Sequence, residues 1–331
     1  MNKEISYSEN ILEGFKYLLD NDEDVFVLGQ GLWSPWYVGN SMKDLDKIYG
    51  RRRIIDTPVS ENAITGAAIG ASLCGSKPIV VHPRMDFMLY AMDPIINQAA
   101  KWSYMFGGQA NPQVTIRAIV NRGGEQGAQH SQMLHSLFAH IPGLRVVMPY
   151  SVSDARDLLI SSVLCKDPVI YIDDRWLYDQ KDLITDINLL NLNEQGPKKI
   201  LSGNDMTIIS SGYSTKIAKE AIDNFKFNNK NISIELIDLR VISPIKYDLI
   251  INSIHKTKRF MVIDGGWKTC GLGSEIISSI VEIIGTNILL EKPINISLKN
   301  CPAPASKTLE NKYYITANDI YQILKNVLIN S

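Results

Sequence analysis

Two spacings of apolar and polar positions alternate along the first half of the chain. Short runs rich in β-branched and aliphatic residues predict strands at 24–28, 78–82, 114–120, 145–148 and 168–173. Longer stretches between them predict helices at 61–74, 92–106, 130–140 and 153–164. This alternation is typical of a parallel sheet covered by helices on both faces, so the sequence indicates the α/β class.

A second alternation follows a polar break in the chain. Residues 178–205 are rich in Asp, Asn and Lys and contain Gly196-Pro197, which indicates a linker. Beyond the break, the pattern predicts strands at 206–210, 233–239, 259–264 and 287–290 and helices at 215–225, 247–254 and 274–284. We therefore expect an α/β domain over residues 1–185, a linker over 186–204 and a smaller α/β domain over 205–331.

Composition narrows the classes of partner. The net charge of −1 leaves no basic excess for nucleic-acid phosphates. No apolar run approaches the roughly 20 residues of a membrane span, and the first residues resemble neither a signal nor a transit peptide. The four cysteines are scattered, which suits reduced thiols. We expect a soluble, cytoplasmic protein without a nucleic-acid or membrane partner.

One carboxylate stands at the start of a helix of small and apolar residues. Glu61 follows the helix start signals Pro58 and Ser60, and residues 62–74 after it are mostly Ala, Gly and Ile. An acid in the first turn complements the helix dipole, a contribution of about 0.3–1 kcal/mol. From its position alone, Glu61 is either such an acid or a catalytic one.

Further segments accompany the Glu61 helix in a fixed order. They are Met85-Asp86-Phe87 leading to 93–101, Gly107-Gly108-Gln109, the stretch 127–132 with Gln129-His130-Ser131, and the stretch 138–144. In order and spacing, from about Asp24 to about Tyr314, the chain resembles the beta subunit of the thiamine diphosphate-dependent 2-oxoacid dehydrogenases. That subunit belongs to the first, decarboxylating component of the pyruvate, branched-chain and acetoin dehydrogenase systems.

The resemblance assigns an expected fold and roles to particular residues. It implies a transketolase-like pyrimidine-binding domain followed by a transketolase C-terminal-like domain. It implies that Glu61 hydrogen-bonds the distal pyrimidine nitrogen of the cofactor, and that Met85 and Phe87 contact the pyrimidine ring. It also implies that His130 is the active-site histidine, able to donate a proton or stabilise an oxyanion. By themselves, Met85 and Phe87 are typical core residues and His130 a typical packing or capping residue of a helix.

Two further features bear on assembly. The Gly-Asp-Gly motif with a downstream Asn-Asn, which holds diphosphate and Mg²⁺ in this cofactor class, does not occur. Because Mg²⁺ requires oxygen ligands, the resemblance implies that a separate alpha subunit holds Mg²⁺ and the diphosphate, in an assembly of two alpha and two beta chains. A lipoyl acyltransferase core is a further expected partner. Gly66 and Gly70 lie on a smooth helix face that suits either a subunit interface or packing within the domain.

Other metal and nucleotide sites are not indicated. The five histidines contain no pair spaced i, i+4, which argues against zinc. The glycine-rich stretch 264–274 follows a predicted strand and opens a predicted helix, as a dinucleotide-binding turn does, but Ile276 stands where the third glycine belongs.

Two segments depart from the family pattern and put the substrate in doubt. Residues 30–37 carry three aromatic side chains, Trp33, Trp36 and Tyr37, and the strand end His82-Pro83-Arg84 is unusually basic. Aromatic faces suit sugar rings or bulky acyl groups. Arg84 and Arg122 could hold an anionic substrate group, and structural ion pairs are the equal alternative. Trp33, Arg84 and Arg122 are therefore the candidate substrate residues.

Three functions stay open at this point. The leading one is oxidative decarboxylation of a 2-oxoacid with transfer of the acyl group to a lipoyl carrier. A transketolase-like or acyloin-forming carboligase would instead join the same intermediate to an aldehyde, for example of a sugar. A non-catalytic interaction subunit is the third, and the presence of both Glu61 and His130 argues against it.

Overall fold

The computed structural model describes residues 3–329, and the chain divides into two compact units. The first unit contains the chain up to Arg122 together with Leu137–Gln195, and the second contains Gly123–Ser136 and the chain from Gly196 onward. The segment 123–136 clusters with the second unit, although it lies within the range 1–185 that the sequence assigns to the first domain.

The first unit is built from short strands and the helices between them. Its elements are β1 (Glu4–Ser6), α1 (Tyr7–Asn21), β2 (Val25–Gly29), α2 (Pro35–Val38), α3 (Leu45–Tyr49), β3 (Ile54–Asp56), α4 (Glu61–Leu73), β4 (Lys77–His82), α5 (Ala100–Met105), β5 (Thr115–Val120), α6 (His135–Ala139, which begins in the 123–136 segment), β6 (Arg145–Met148), α7 (Val152–Leu164), β7 (Val169–Asp174) and β8 (Lys181–Leu183). A 3₁₀ helix (Met85–Ala91) and a π-helical segment (Pro94–Ala99) precede α5.

Six of these strands form a parallel sheet in the order β6-β7-β5-β4-β2-β3. Strands β5 and β7 are buried along their whole length, as expected where helices cover both faces. Gly29 at the end of β2 pairs with Asp56 of β3 and with Val81 of β4. The residues that follow these three strands therefore share one edge of the sheet, which is where open α/β sheets bind ligands.

The first unit confirms the α/β class but corrects one predicted helix. Residues 130–134 are not helical, and α6 covers only His135–Ala139. Gly127 has a φ of 74°, which a helix does not allow. The flanking residues Glu125 and Ser136 form hydrogen bonds with Glu310 and Leu272, which are distant in the sequence. The helix predicted at 92–106 is present, with the π-helical segment inside it.

The second unit is a smaller sheet with helices packed on it. Its elements are β9 (Lys198–Leu201), β10 (Met206–Ser210), α8 (Tyr213–Asn228), β11 (Ile234–Asp238), β12 (Arg240–Ser243), α9 (Asp248–Thr257), β13 (Phe260–Trp267), α10 (Leu272–Ile284), β14 (Ile294–Leu298), α11 (Lys307–Glu310) and α12 (Ala317–Leu328). Five strands are ordered β14-β13-β10-β11-β9, and only β9 runs antiparallel to its neighbour. The core lies between β10, β11, β13 and the helices α8 and α12.

Two predictions for the second unit are wrong. Residues 287–290 form turns instead of a strand, and the edge strand β14 follows at Ile294–Leu298. Helix α10 ends at Gly285, whose φ of 70° turns the chain, so residues 286–290 serve as its connection. The expected linker 186–204 also contains a strand, β9, whose lysines are exposed because it lies at the sheet edge. None of the helices formed by residues 3–329 has the length and apolar character needed to cross a membrane.

Candidate active site

A pocket opens at the carboxyl edge of the first unit's sheet. Its walls come from the loop after β2, the start of α4, the end of β4, the 3₁₀ helix that follows and the residue after β7. The lining residues are Gln30, Trp36, Tyr37, Pro58, Ser60, Glu61, Ile64, Val81, His82, Pro83, Arg84, Phe87 and Arg175. Of the predicted site residues, the pocket brings together Glu61, Phe87 and Arg84.

Glu61 is the first residue of α4 and the one carboxylate among the residues lining the pocket. The helix begins where the sequence predicts, but the Ser60 side chain does not cap it and lines the pocket instead. Glu61 is partly buried, and within residues 3–329 no side chain or backbone group hydrogen-bonds or ion-pairs with its carboxylate. The carboxylate is therefore available to a ligand in the pocket.

The wall beside Glu61 is apolar. Ile64, one turn along α4, and Val81 of β4 line it together with Phe87 from the 3₁₀ helix. Phe87 therefore lines the pocket, where its aromatic ring can contact the ring of a ligand. Met85 does not line the pocket, because its side chain is fully buried in the core. The predicted direct contact of Met85 with a cofactor is not supported by this placement.

His82 is a neutral residue of the pocket and not the extra cation that the basic strand end suggested. It is only 1% exposed, and its Nε2 lies 3.3 Å from the Oγ1 of Thr65. Burial lowers the pKa of His82 to about 4, because a charged imidazole would lose its hydration there. At neutral pH the imidazole therefore contributes polarity but no charge.

The aromatic loop after β2 is held in place by β3. The Asp56 carboxylate accepts hydrogen bonds from the backbone N–H groups of Gly31 and Leu32 at 2.6 and 3.3 Å. Gly31 has a φ of 69°, and a Cβ there would lie 2.5 Å from the Tyr37 ring, so only glycine allows the ring its position. This arrangement presents Tyr37 and the exposed Trp36 to the pocket.

Trp33, by contrast, does not line the pocket. Its Nε1 donates to the carbonyl oxygen of Ile54 at 3.0 Å, and the Arg51 guanidinium stacks 4.0 Å from its ring centroid. Both contacts anchor the loop to β3 and to the turn before it. The prediction that Trp33 contacts a substrate is thus not supported, and Trp36 and Tyr37 are the aromatic residues of the pocket.

The two arginines predicted to bind the substrate have different surroundings in the structure: only Arg84 lines the pocket. Arg122 is buried, hydrogen-bonds to the Asp174 carboxylate and lies 5.1 Å from the Trp176 ring centroid. It is therefore held in a structural ion pair, and it is not among the residues that line the pocket. Arg84 does line the pocket, and so does Arg175, which the sequence reading missed. Arg175 directly follows β7, so its place at the carboxyl end of a sheet strand was the available signal.

His130 lies in the segment that packs with the second unit, whereas Glu61 lies in the first. The segment is tied down at several points within that unit. The Glu310 carboxylate accepts from the Glu125 N–H at 3.1 Å, and the Ser136 hydroxyl accepts from the Leu272 N–H at 3.0 Å. His130 itself is partly buried in a non-helical stretch. The start of α10 thus supports this segment.

Among residues 3–329, no group of three or more His, Cys, Asp and Glu side chains is placed to hold a metal ion.

Comparison with known proteins gives the chain's relationships. Residues 3–180 match the family model of the transketolase pyrimidine-binding domain, and residues 198–320 match the model of the transketolase C-terminal domain. The chain is 33% identical to the pyruvate dehydrogenase E1 component subunit beta of Rickettsia felis over 98% of both chains. It is also 33% identical to the acetoin:2,6-dichlorophenolindophenol oxidoreductase subunit beta of Bacillus subtilis, over 99% of this chain and 98% of that protein.

More distant matches agree with these. The mitochondrial pyruvate dehydrogenase E1 component subunit beta of Bos taurus is 30% identical over 98% of this chain and 91% of its own length. A solved split-gene transketolase, an inactive beta4 tetramer, superimposes with a TM-score of 0.74 at 18% identity and 98% coverage of both chains, which shows the shared fold. The chain therefore belongs to the family of transketolase-like beta subunits of thiamine diphosphate-dependent 2-oxoacid dehydrogenases.

Proposed function

We propose that the Glu61 pocket receives the aminopyrimidine end of thiamine diphosphate and that the chain works as the beta subunit of a decarboxylating 2-oxoacid dehydrogenase. The observation that carries the proposal is the Glu61 carboxylate itself. It stands in a pocket beside Phe87 and Ile64, without a partner among the described residues. A flat heteroaromatic ring with a basic nitrogen complements both features, since aromatic and aliphatic walls bind its faces and the carboxyl group binds its edge.

The residues have distinct roles in this proposal. Bound in the pocket, thiamine diphosphate would supply the carbon nucleophile for the 2-oxo group of the substrate. Glu61 would hydrogen-bond the distal pyrimidine nitrogen and hold a proton at that atom. Phe87 holds the ring in the orientation that this bond requires. His130 donates a proton to the oxygen of the substrate carbonyl or stabilises its charge.

The diphosphate and Mg²⁺ are assigned to a separate alpha subunit. The proposal rests on the missing Gly-Asp-Gly motif and on a helix face suited to close contact. Gly66 and Gly70 are exposed on α4, and a Cβ placed at either would meet no heavy atom within 4 Å. The face is thus not packed within the chain, which leaves it for another subunit. We propose an assembly of two alpha and two beta chains, located in the cytoplasm, that transfers its acyl group to a lipoyl acyltransferase core.

A second candidate is a carboligase that joins the same intermediate to an aldehyde. The observation that favours it is the pair Trp36 and Tyr37 at the pocket, because aromatic faces bind the apolar faces of sugar rings. In this alternative Glu61, Phe87 and His130 keep their roles, and only the acceptor differs.

The experiment is reconstitution with the proposed alpha subunit. Purified beta chain, alone and mixed with the alpha subunit, is titrated with thiamine diphosphate and Mg²⁺ by calorimetry, and the mixture is then supplied with 2-oxoacids. The proposal expects tight binding only in the mixture, release of CO₂, and acylation of lipoamide. Formation of a ligation product with an aldehyde, in place of acyl-lipoamide, selects the carboligase. Tight Mg²⁺-dependent binding by the beta chain alone contradicts the assignment of the alpha subunit.

A further inference from the structure

The Glu61 pocket contains two arginines that lack carboxylate partners. Elsewhere in the described chain, buried arginines pair with acids: Arg117 with Asp173, Arg122 with Asp174 and Arg156 with Asp157. Neither Arg84 nor Arg175 forms an ion pair with any residue in 3–329. Because a guanidinium stays charged at any physiological pH, these two side chains bring two positive charges to the pocket.

The hydrogen bonds of the two guanidinium groups are also incomplete. The Nη1 of Arg84 is buried and has no hydrogen-bond acceptor among the described residues, and the same holds for the Nε of Arg175. Arg175 donates through Nη2 to the backbone carbonyls of Tyr37 and Trp36, which fixes its position at the rim. A buried charged donor without an acceptor is costly, so an acceptor supplied by a ligand is the expected complement of Arg84.

The charges around Arg84 leave the pocket positive. Burial lowers the pKa of Arg84, the nearby charge of Arg175 lowers it further, and Asp86 and Tyr37 act in the opposite direction. His82 is neutral there, and Glu61 is the one carboxylate among the lining residues. Two guanidinium groups against one carboxylate favour an anionic ligand.

The anionic group that suits these two arginines is one that keeps its charge throughout the reaction. Loss of CO₂ disperses the charge of the reacting carboxylate, so a guanidinium paired with that carboxylate would stabilise the substrate more than the transition state and slow the reaction. A second anionic group, remote from the 2-oxo carbon, carries no such penalty. Its fixed charge can hold the substrate in place throughout.

We propose that Arg84 and Arg175 form a subsite for a remote carboxylate or phosphate group of the substrate, so that the enzyme acts on a 2-oxoacid with a second anionic group. This inference rests on the proposed function of the pocket. It assigns Arg84 as the direct ligand of the anion, through Nη1, and Arg175 as the residue that adds charge and fixes the aromatic rim.

The test uses the complex reconstituted with the alpha subunit and two matched pairs of small molecules. 2-Oxoglutarate and 2-oxopentanoate differ only in a remote carboxylate, and glutarate and pentanoate are their unreactive counterparts. Calorimetry with glutarate, pentanoate and inorganic phosphate measures binding without turnover, and CO₂ release measures kcat/KM. Arg84→Ala is compared with Arg84→Lys and with the control Arg52→Ala, which removes an exposed cation that does not line the pocket.

The subsite predicts glutarate binding over pentanoate and a higher kcat/KM for 2-oxoglutarate than for 2-oxopentanoate. Arg84→Ala should weaken glutarate binding and lower this kcat/KM ratio by about 10- to 150-fold, the range for a lost charge-assisted hydrogen bond, with partial rescue by lysine. Phosphate that binds more tightly than glutarate identifies a phosphorylated substrate as the source of the anion. No preference for glutarate or phosphate, or unchanged binding in Arg84→Ala, overturns the subsite.

Two other failures can be told apart. If Arg84→Ala weakens thiamine diphosphate instead and leaves the substrate ratio unchanged, the arginines serve the cofactor and the inference is wrong. If glutarate binds through Arg84 but no 2-oxoacid releases CO₂, the subsite stands and the proposed function fails.

Discussion

The imidazole Nε2 of His135 lies 2.9 Å from the Oδ1 of Asp264, and both side chains are buried. Asp264 lies within the buried part of β13 and also accepts hydrogen bonds from the N–H groups of Gly266 and Gly273. Burial alone would raise the pKa of Asp264, but the adjacent His135 and these N–H groups lower it overall. The contact between His135 and Asp264 thus joins the segment that carries His130 to strand β13.

We predict that Asp264→Ala loosens the segment 123–136. Removing the carboxylate leaves His135 buried without its contact, and such a loss typically costs about 1–3 kcal/mol. Hydrogen exchange followed by mass spectrometry should show faster exchange of the amides between Glu125 and Ser136. The control is Asp223→Asn, which breaks the exposed pair with Lys219. Equal protection of the segment in Asp264→Ala and in the unsubstituted protein would refute this anchoring role.

The close approach of His135 also explains why residue 266, near the end of β13, is a glycine. A Cβ on Gly266 would lie 2.9 Å from the Cε1 of His135, so the approach of the histidine requires glycine there. Gly266→Ala should therefore reproduce, in weaker form, the faster exchange expected for Asp264→Ala.

A second prediction concerns pH and His82. Burial lowers the pKa of His82 in the folded protein to about 4, below its ordinary value of 6.5. Between these values the unfolded chain binds more protons than the folded one, so stability falls as the pH drops through this window. The full loss from this group is about 3 kcal/mol.

The measurement is urea denaturation at pH 7 and pH 4.5 for His82→Gln and for the unsubstituted protein. His82→Gln should show a smaller drop in the free energy of unfolding over this interval. His140→Gln, which alters an exposed histidine of the same unit, serves as the control. An unchanged drop in His82→Gln would show that His82 is not the group responsible.

A third prediction tests the centre of the first unit. Arg117 is fully buried and hydrogen-bonds through Nε and Nη2 to the Asp173 carboxylate, while Nη2 also contacts Ser41 and Tyr178. Arg117→Ala should lower the free energy of unfolding by about 3–5 kcal/mol, because it leaves the Asp173 charge uncompensated. Arg145→Ala, which breaks a partly exposed pair with Asp167, should cost no more than about 1 kcal/mol. Similar losses for both variants would be inconsistent with this reasoning.

The sequence predicted what depends on local pattern and missed what depends on tertiary contacts. Most interior strands carry apolar runs and α4 follows clear start signals, so their positions followed from the chain alone. Residues 130–134 read as helix, but contacts to the second unit override that pattern. Strand β9 was hidden because an edge strand with exposed lysines lacks the apolar run of an interior strand.

The site shows the same division. Glu61 and Phe87 were found because their segments stand in a recognisable order, and the pocket holds both. Arg122 and Trp33 were assigned to the substrate by residue type, yet each is engaged by its own neighbours, Asp174 for the first and Ile54 and Arg51 for the second. Arg175 was missed because its part in the pocket depends on the strand order, which places β7 near β4.

The central claim is that Glu61 acts on the cofactor and does not merely complement a helix dipole. Its most direct measurement is the rate of hydrogen–deuterium exchange at the thiazolium carbon, followed by NMR in the reconstituted complex. Glu61→Gln should slow this exchange by about 10²–10⁴-fold, the usual contribution of an acid–base group, with the fold intact. His130→Ala should leave the exchange rate unchanged and impair later steps. Asp248→Asn, which removes the first-turn acid of α9, should also leave the exchange rate unchanged. Exchange at the unsubstituted rate in Glu61→Gln would contradict the account and leave only the helix-dipole role.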